Sequence, residues 1–384
     1  MSQSVTSMGL AYYRYGGHKP FGMNDVDRLQ HLYVIGQTGT GKSTLLSSMM
    51  QSDAQCGRGF CLLDPHGDLA EELHNKIEAE HIYWDVGNPN SSFGYNPLSH
   101  VIPRYRNLVC SNLIETLHKQ FGDKAWGARV EHLLRMSILA LLDRPHSTLQ
   151  DIIPLFTDKD FQKEVIPYIC DEEVKRFWTK EFPKLNYNTA MDGIPVISNK
   201  LSGFLSHAAV RKALCNPEQP LKFRKAMDER QIILINLAKG RLGADISNLM
   251  GGLLLSAISA AAFTRHTVPK AQRKFWGCYV DEFHSFATSA FGDMLAELRK
   301  YGLAMTIAQQ GTFQSEKSVL SSILANVGSL WSFRIGPEDE PLIRKHLDLE
   351  RMQSLTKLPN YRAFVRLLVD GVQTNAFTAQ TFPP

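Results

Sequence analysis

Lys42 and Ser43 close a stretch of chain that carries almost nothing to bury. Gly36, Gln37, Thr38, Gly39, Thr40, Gly41, Lys42 and Ser43 fit the spacing G-x-x-x-x-G-K-[ST], with Thr44 next in line. Backbone N–H groups can wrap phosphate oxygens only where side chains stand clear, and Gly39 and Gly41 clear them. Lys42 is expected to reach the β- and γ-phosphates of ATP, and Ser43 to offer its hydroxyl to Mg2+. Thr44 is placed near the α-phosphate. A helix starting near Lys42 would aim its partial positive N-terminus at the same anion.

Cleaving a triphosphate needs carboxylates at the end of a buried strand, and "FWGCYVDEF" supplies two. Asp281 is expected in the Mg2+ shell, and Glu282 to take a proton from the attacking water or orient it. The roles require adjacent groups, one neutralised by metal and one kept as a base. Gln310 ends "TIAQQ", where an amide can sense the γ-phosphate, position water or simply finish a turn. A cation must also meet the charge of the transition state. Arg299 in "AELRKYG" is a candidate, though composition alone makes it a solvated helix charge; Arg241 and Arg334 compete more weakly.

Stepping outward, "HLYVIG" (His31 to Gly36) reads as a buried strand, followed by a helix ending near Gly57. A second strand stops at Asp64-Pro65. Further apolar runs predict strands at Gln231–Leu237, Phe275–Val280, Leu303–Gln309, Ser329–Ile335 and Tyr361–Val369. The last should turn at Asp370-Gly371 into a terminal hairpin. Residues before about Gln30 read as loop and turn. Between Arg104 and Cys215 the texture is amphipathic helix, with Val130, Leu133, Leu134, Ile138 and Leu141 on one face and a capped restart at Thr148 and Asp151. Phe182–Pro195 reads as a loop. The expectation is an α/β core with a mostly parallel sheet in residues 1–103 and 221–384, interrupted by an all-α domain at 104–220.

The totals exclude little. A formal charge of +4 is too weak to argue for nucleic acid by itself. Six scattered cysteines show no metal spacing and read as free thiols of a reducing compartment, and the thirteen histidines show no ligand pattern. The longest apolar run, Leu249 to Thr264, falls short of the about 20 residues that span a membrane. It reads as a core helix, so no membrane span is expected. In "VKRFWTK", Val174, Phe177 and Trp178 fall at helical spacing, favouring a core stripe over a base-stacking surface.

Taken in order, "YVIGQTGTGKSTLL", "CLLDPHGDLAEEL", "YNPL", "ILINLAKGRLG", "YVDEFHSFAT", "LAELRKYGLAMTIAQQ" and "FRIGPEDE" resemble the HerA/FtsK superfamily. They look most like the HerA-type and TraD/TraG-type coupling ATPases of conjugation and type IV secretion. The resemblance runs from about His31 to beyond Asp339. It implies a RecA-like core, a hexameric ring with ATP at subunit junctions, and DNA, usually duplex, moved through the channel without regard to sequence. It also implies that Asp64 is an acidic strand-end residue near the nucleotide and Gln310 the polar sensor. Arg299 would be offered to a neighbour's ATP, although Leu298 stands where the family often has Gly, which keeps Lys300 in contention.

The phosphate loop begins close to the N-terminus, leaving no room for the N-terminal barrel of HerA proteins or the paired membrane helices of coupling proteins. The expectation is the motor portion of something longer, or a cytoplasmic motor held at the inner membrane by a secretion or nuclease partner. An ATPase that energises protein export or pilus assembly without threading DNA is the alternative.

Overall fold

Six segments of continuous apolar sequence become strands with both faces covered, the pattern of a parallel sheet. In the computed structural model, which describes residues 5–12, 17–99, 101–123, 126–185, 193–350 and 353–383, the chain forms two compact units. One comprises Met1–Tyr83, Phe223–Leu237 and Ala261–Pro384; the other comprises Trp84–Lys222 and Ala238–Ala260. The second unit thus starts upstream of residue 104, where the change in sequence texture suggested a boundary, and takes in a further stretch beyond 220.

The first unit is built on an 11-stranded mixed sheet. Its order is His18–Asn24, Val5–Tyr12, Phe377–Gln380, Arg362–Arg366, Ser329–Ser332, Leu32–Ile35, Leu303–Gln309, Trp276–Val280, Gly59–Asp64, Ile232–Asn236, then the strand that His81 begins. From Ser329–Ser332 to Ile232–Asn236 every pairing is parallel. The C-terminal ends of these strands therefore share one edge, where open α/β sheets bind ligands.

The other flank is antiparallel. Here the N-terminal residues, expected to be loop and turn, form the strands Val5–Tyr12 and His18–Asn24. A bulge between Ser7 and Gly9 interrupts the alternation that would have betrayed them, and Pro20 is tolerated because its strand lies at the sheet edge. The terminal hairpin forms as expected: Asp370 and Gly371 both have positive φ, and Leu368–Val369 pairs with Val372–Gln373.

Behind the sheet lies a buried polar cluster. Arg28 Nη1 meets Asp53 Oδ1 at 2.6 Å, Tyr279 OH donates to Asp53 Oδ2 at 2.6 Å, and Arg28 Nη2 donates to Tyr279 OH at 2.7 Å. Thr6 donates a further hydrogen bond to Asp53. These contacts tie the far end of the Lys42–Gln55 helix to the Trp276–Val280 strand.

The second unit is helical. Val130, Leu133, Leu134, Ile138 and Leu141 are buried on the Ala128–Asp143 helix, and Thr148 with Asp151 forms a capping box. Val174, Phe177 and Trp178 are buried, as a core stripe requires. Half of the loop expected at Phe182–Pro195 falls on residues 186–192, outside the described residues; of the rest, Phe182–Lys184 forms a 3-10 turn and Ile194 opens a helix. All of the apolar run Leu249–Thr264 except Thr264 belongs to a longer helix, Ala244–Phe263, because the polar residues before it are helical too. The stretch Ala244–Thr267 is long and apolar enough to cross a membrane, yet 67% of its most apolar window is buried inside the protein, as in a core helix.

Candidate active site

The phosphate loop leaves the Leu32–Ile35 strand at the shared edge, and its shape depends on two glycines in the left-handed region, Gly39 at φ 74° and Gly41 at φ 116°. Neighbouring strands hold it. Gly36 N–H donates to Gln309 O at 3.3 Å, and Gln37 N–H to Arg334 O at 2.8 Å. Thr40 closes the turn by donating its hydroxyl to Gln37 O. Lys42 opens the following helix and folds back, its Nζ donating to Gly36 O at 2.6 Å and Gln37 O at 3.2 Å. Burial lowers its pKa, against the pull of Asp281 and Glu282.

Asp281 and Glu282 follow the Trp276–Val280 strand. Burial, then the Glu282 and Asp64 charges, push the Asp281 carboxyl up to about 7. Glu282 has left-handed backbone, φ 47°. Its Oε1 accepts from Gln310 Nε2 at 2.7 Å, and its Oε2 lies 3.4 Å from His284 Nδ1. Asp64 is buried, and its carboxylate is engaged by its own loop: Oδ1 accepts from His66 N–H and Oδ2 from Ala70 N–H, each at 3.0 Å. It thereby shapes the turn into the Asp68–Lys76 helix.

A cavity of about 430 Å³ joins these groups, within the range of small-molecule sites. Lys42, Ser43, Asp64, Asp281, Glu282 and Gln310 line it, as do Thr38, Gly39, Gly41 and Thr44. Gly36, Gln37 and Thr40 shape the loop without lining the cavity. Arg299 is not brought there. It precedes the Leu303–Gln309 strand, at the opposite edge of the sheet, where its Nη1 donates to Gln30 Oε1 at 2.6 Å. Of its competitors, Arg334 rests against Gln37 and Leu358, and Arg241 pairs with Asp85 in the helical unit. Several basic residues elsewhere in the chain have partners: Arg224 binds Asp228, Lys212 binds Glu218, and buried Arg265 donates to Tyr301 O and Lys274 O.

Among the lining residues, Tyr361 carried no signal, because it reads as the first residue of a strand. Glu72 and Asp68 were equally silent, lying on an ordinary amphipathic helix.

Ser43 and Asp281 offer hard oxygen donors to Mg2+, and Asp281 is a buried carboxyl whose charge the Lys42 ammonium and the Glu282 N–H offset only in part. Among the described residues no set of three or more His, Cys, Asp or Glu could hold a metal by itself. Mg2+ needs none, since it takes one or two protein ligands and completes its shell with phosphates and water.

Residues 24–240 match the family described as Helicase HerA, central domain. This chain belongs to that family. No curated protein matches it in sequence. The HerA-family chain shares its fold with the bacterial conjugative coupling protein TrwBdeltaN70, at 19% identity and TM-score 0.64, over 94% of this chain and 86% of that one. VirB4 of Thermoanaerobacter pseudethanolicus matches at 14% identity and TM-score 0.66, over 99% and 97% of the two chains. TrwB solved with ADP and Mg2+ matches at 18% identity and TM-score 0.65, over 94% and 87%. The α/β, RecA-like fold with its helical insertion is therefore established, and the chain is a P-loop ATPase of the HerA type.

Proposed function

We propose that this HerA-family chain hydrolyses ATP with Mg2+ and uses the energy to move DNA, as one subunit of a ring. The observation that carries the proposal is the convergence of Lys42, Asp281, Glu282 and Gln310 on one cavity. Lys42 exchanges the loop carbonyls for β- and γ-phosphate oxygens. Ser43 and Asp281 would hold Mg2+, which would supply positive charge against the phosphates. Gln310 holds Glu282 Oε1, so Oε2 is the oxygen left to take the proton of the attacking water as its oxygen bonds the γ-phosphorus and ADP departs. Asp64 shapes the cavity wall rather than touching the reacting atoms, since its oxygens accept from backbone N–H groups.

Lys42 is the only Lys or Arg among the described lining residues, against five carboxylates: Asp64, Asp68, Glu72, Asp281 and Glu282. That imbalance supports a cation supplied by a neighbouring copy, and Arg299 is the residue assigned to it. A motor that tracks backbone phosphate needs no sequence-reading motif.

The test is ATP turnover with and without duplex DNA at moderate salt. Several-fold stimulation and retention of DNA on a gel are expected. Robust turnover that ignores DNA, with no retention, would replace DNA movement by the energising of export or pilus assembly.

A further inference from the structure

Tyr361 adopts φ 65°, a backbone conformation that costs an ordinary L residue and costs glycine nothing. The position is held by two backbone hydrogen bonds. Tyr361 N–H donates to Thr40 O in the phosphate loop at 2.7 Å, and Tyr361 O accepts from Thr381 N–H at 3.0 Å. So anchored, the side chain lies over the bare backbone of Gly41, where a Cβ would come within 3.0 Å of Tyr361 Cδ1. The residue remains 38% exposed and lines the same cavity as Lys42 and Asp281. Apart from the His66 imidazole, it is the only aromatic side chain among the described lining residues.

Its place in the sheet says what it faces. Asp281 and Gln310 follow, and Asp64 ends, strands on one side of Leu32–Ile35, whereas Tyr361 precedes Arg362–Arg366, on the other side. A triphosphate laid along the phosphate loop with its γ end at Glu282 carries its nucleoside toward the Tyr361 side. We propose that the Tyr361 ring is the stacking platform for the base of the bound nucleotide, a planar heteroaromatic that offers a π-face. The inference rests on the reading of the cavity as an ATP site. It explains why a strained aromatic stands where glycine would be free: the conformation lays the ring against the loop that grips the phosphates.

A ring that merely covered Gly41 would support every polyphosphate alike; a stacking ring supports only those that carry a base. The experiment is titration of the intact protein, with Mg2+, against a non-hydrolysable ATP analogue and against inorganic tripolyphosphate. Tyr361→Gly removes the ring and relieves the backbone, and Tyr361→Phe keeps the ring. Tyr361→Gly is expected to weaken the analogue about ten-fold or more while leaving tripolyphosphate unchanged, with Tyr361→Phe close to wild type for both. An unchanged ratio of the two affinities in Tyr361→Gly overturns the stacking role and leaves the phosphate site standing. Wild-type protein that binds neither probe overturns the ATP reading itself, and this inference with it. Thermal melts of both variants show whether they are folded.

Discussion

The Gln310 amide donates from Nε2 to Glu282 Oε1 at 2.7 Å, linking the ends of two adjacent parallel strands. Both side chains line the same cavity, so the link can position the base for water. Glu282→Gln is expected to bind ATP normally and lose about 10²–10⁴-fold in turnover. Gln310→Ala should lower kcat about ten-fold or more with KM little changed, as for a lost hydrogen bond to a charged group. Steady-state phosphate release and nucleotide titration check both. Near wild-type turnover in Glu282→Gln would remove that residue from its role.

Asp281 makes the nucleotide-free protein sensitive to pH. Its folded pKa, raised to about 7 by burial and then by Glu282 and Asp64, lies above the unfolded value near 4. Between those values the folded state holds a proton that the unfolded state has released, so this group's contribution to stability falls as pH rises from about 4 to 7. Asp281→Asn should therefore melt higher than wild type at pH 8 without nucleotide or metal, with the gap narrowing toward pH 5. An equal gap at both pH values would contradict this assignment.

Arg28 and Asp53 form an ion pair that is 3% and 0% exposed. Asp53→Ala strands the guanidinium and is expected to cost about 3–5 kcal/mol in urea unfolding. The double substitution Arg28→Met with Asp53→Leu removes both charges and should recover much of the loss. If the single and double variants prove equally unstable, packing rather than charge dominates the site.

Arg299 lies away from the cavity of its own chain, at the opposite sheet edge against Gln30. Arg299→Ala should bind ATP as wild type does. Mixed with active subunits, it should depress turnover more than in proportion to its fraction. Strict proportionality in a mixing titration would mean that each site works alone.

The grouping of residues at the cavity edge was legible because phosphate-binding chemistry restricts residue type. Bare glycines, one lysine and a carboxylate pair after an apolar run have few other uses, and Gly39, Lys42, Asp281 and Glu282 meet where that logic puts them. Asp64 was legible as a strand end, but its partners, the N–H groups of His66 and Ala70, depend on how the loop turns. Tyr361 was invisible because its importance lies in a backbone angle and in sheet order, neither of which has a residue-type signature. The N-terminal strands were hidden by Gly9 and Pro20, which a bulge and an edge position accommodate.

The Asp53 cluster has a mechanical consequence. It fastens the tail of the helix that Lys42 begins to Tyr279, two residues ahead of Asp281 on the neighbouring element. Helix and strand therefore travel as one chassis, and sliding between them would break several buried contacts at once. Whatever answers the loss of a terminal phosphate must be lighter: the Lys42 ammonium, the left-handed corner at Glu282, and the amide that spans to it. If the proposed motor function holds, its stroke would start in this trigger, with the frame held still.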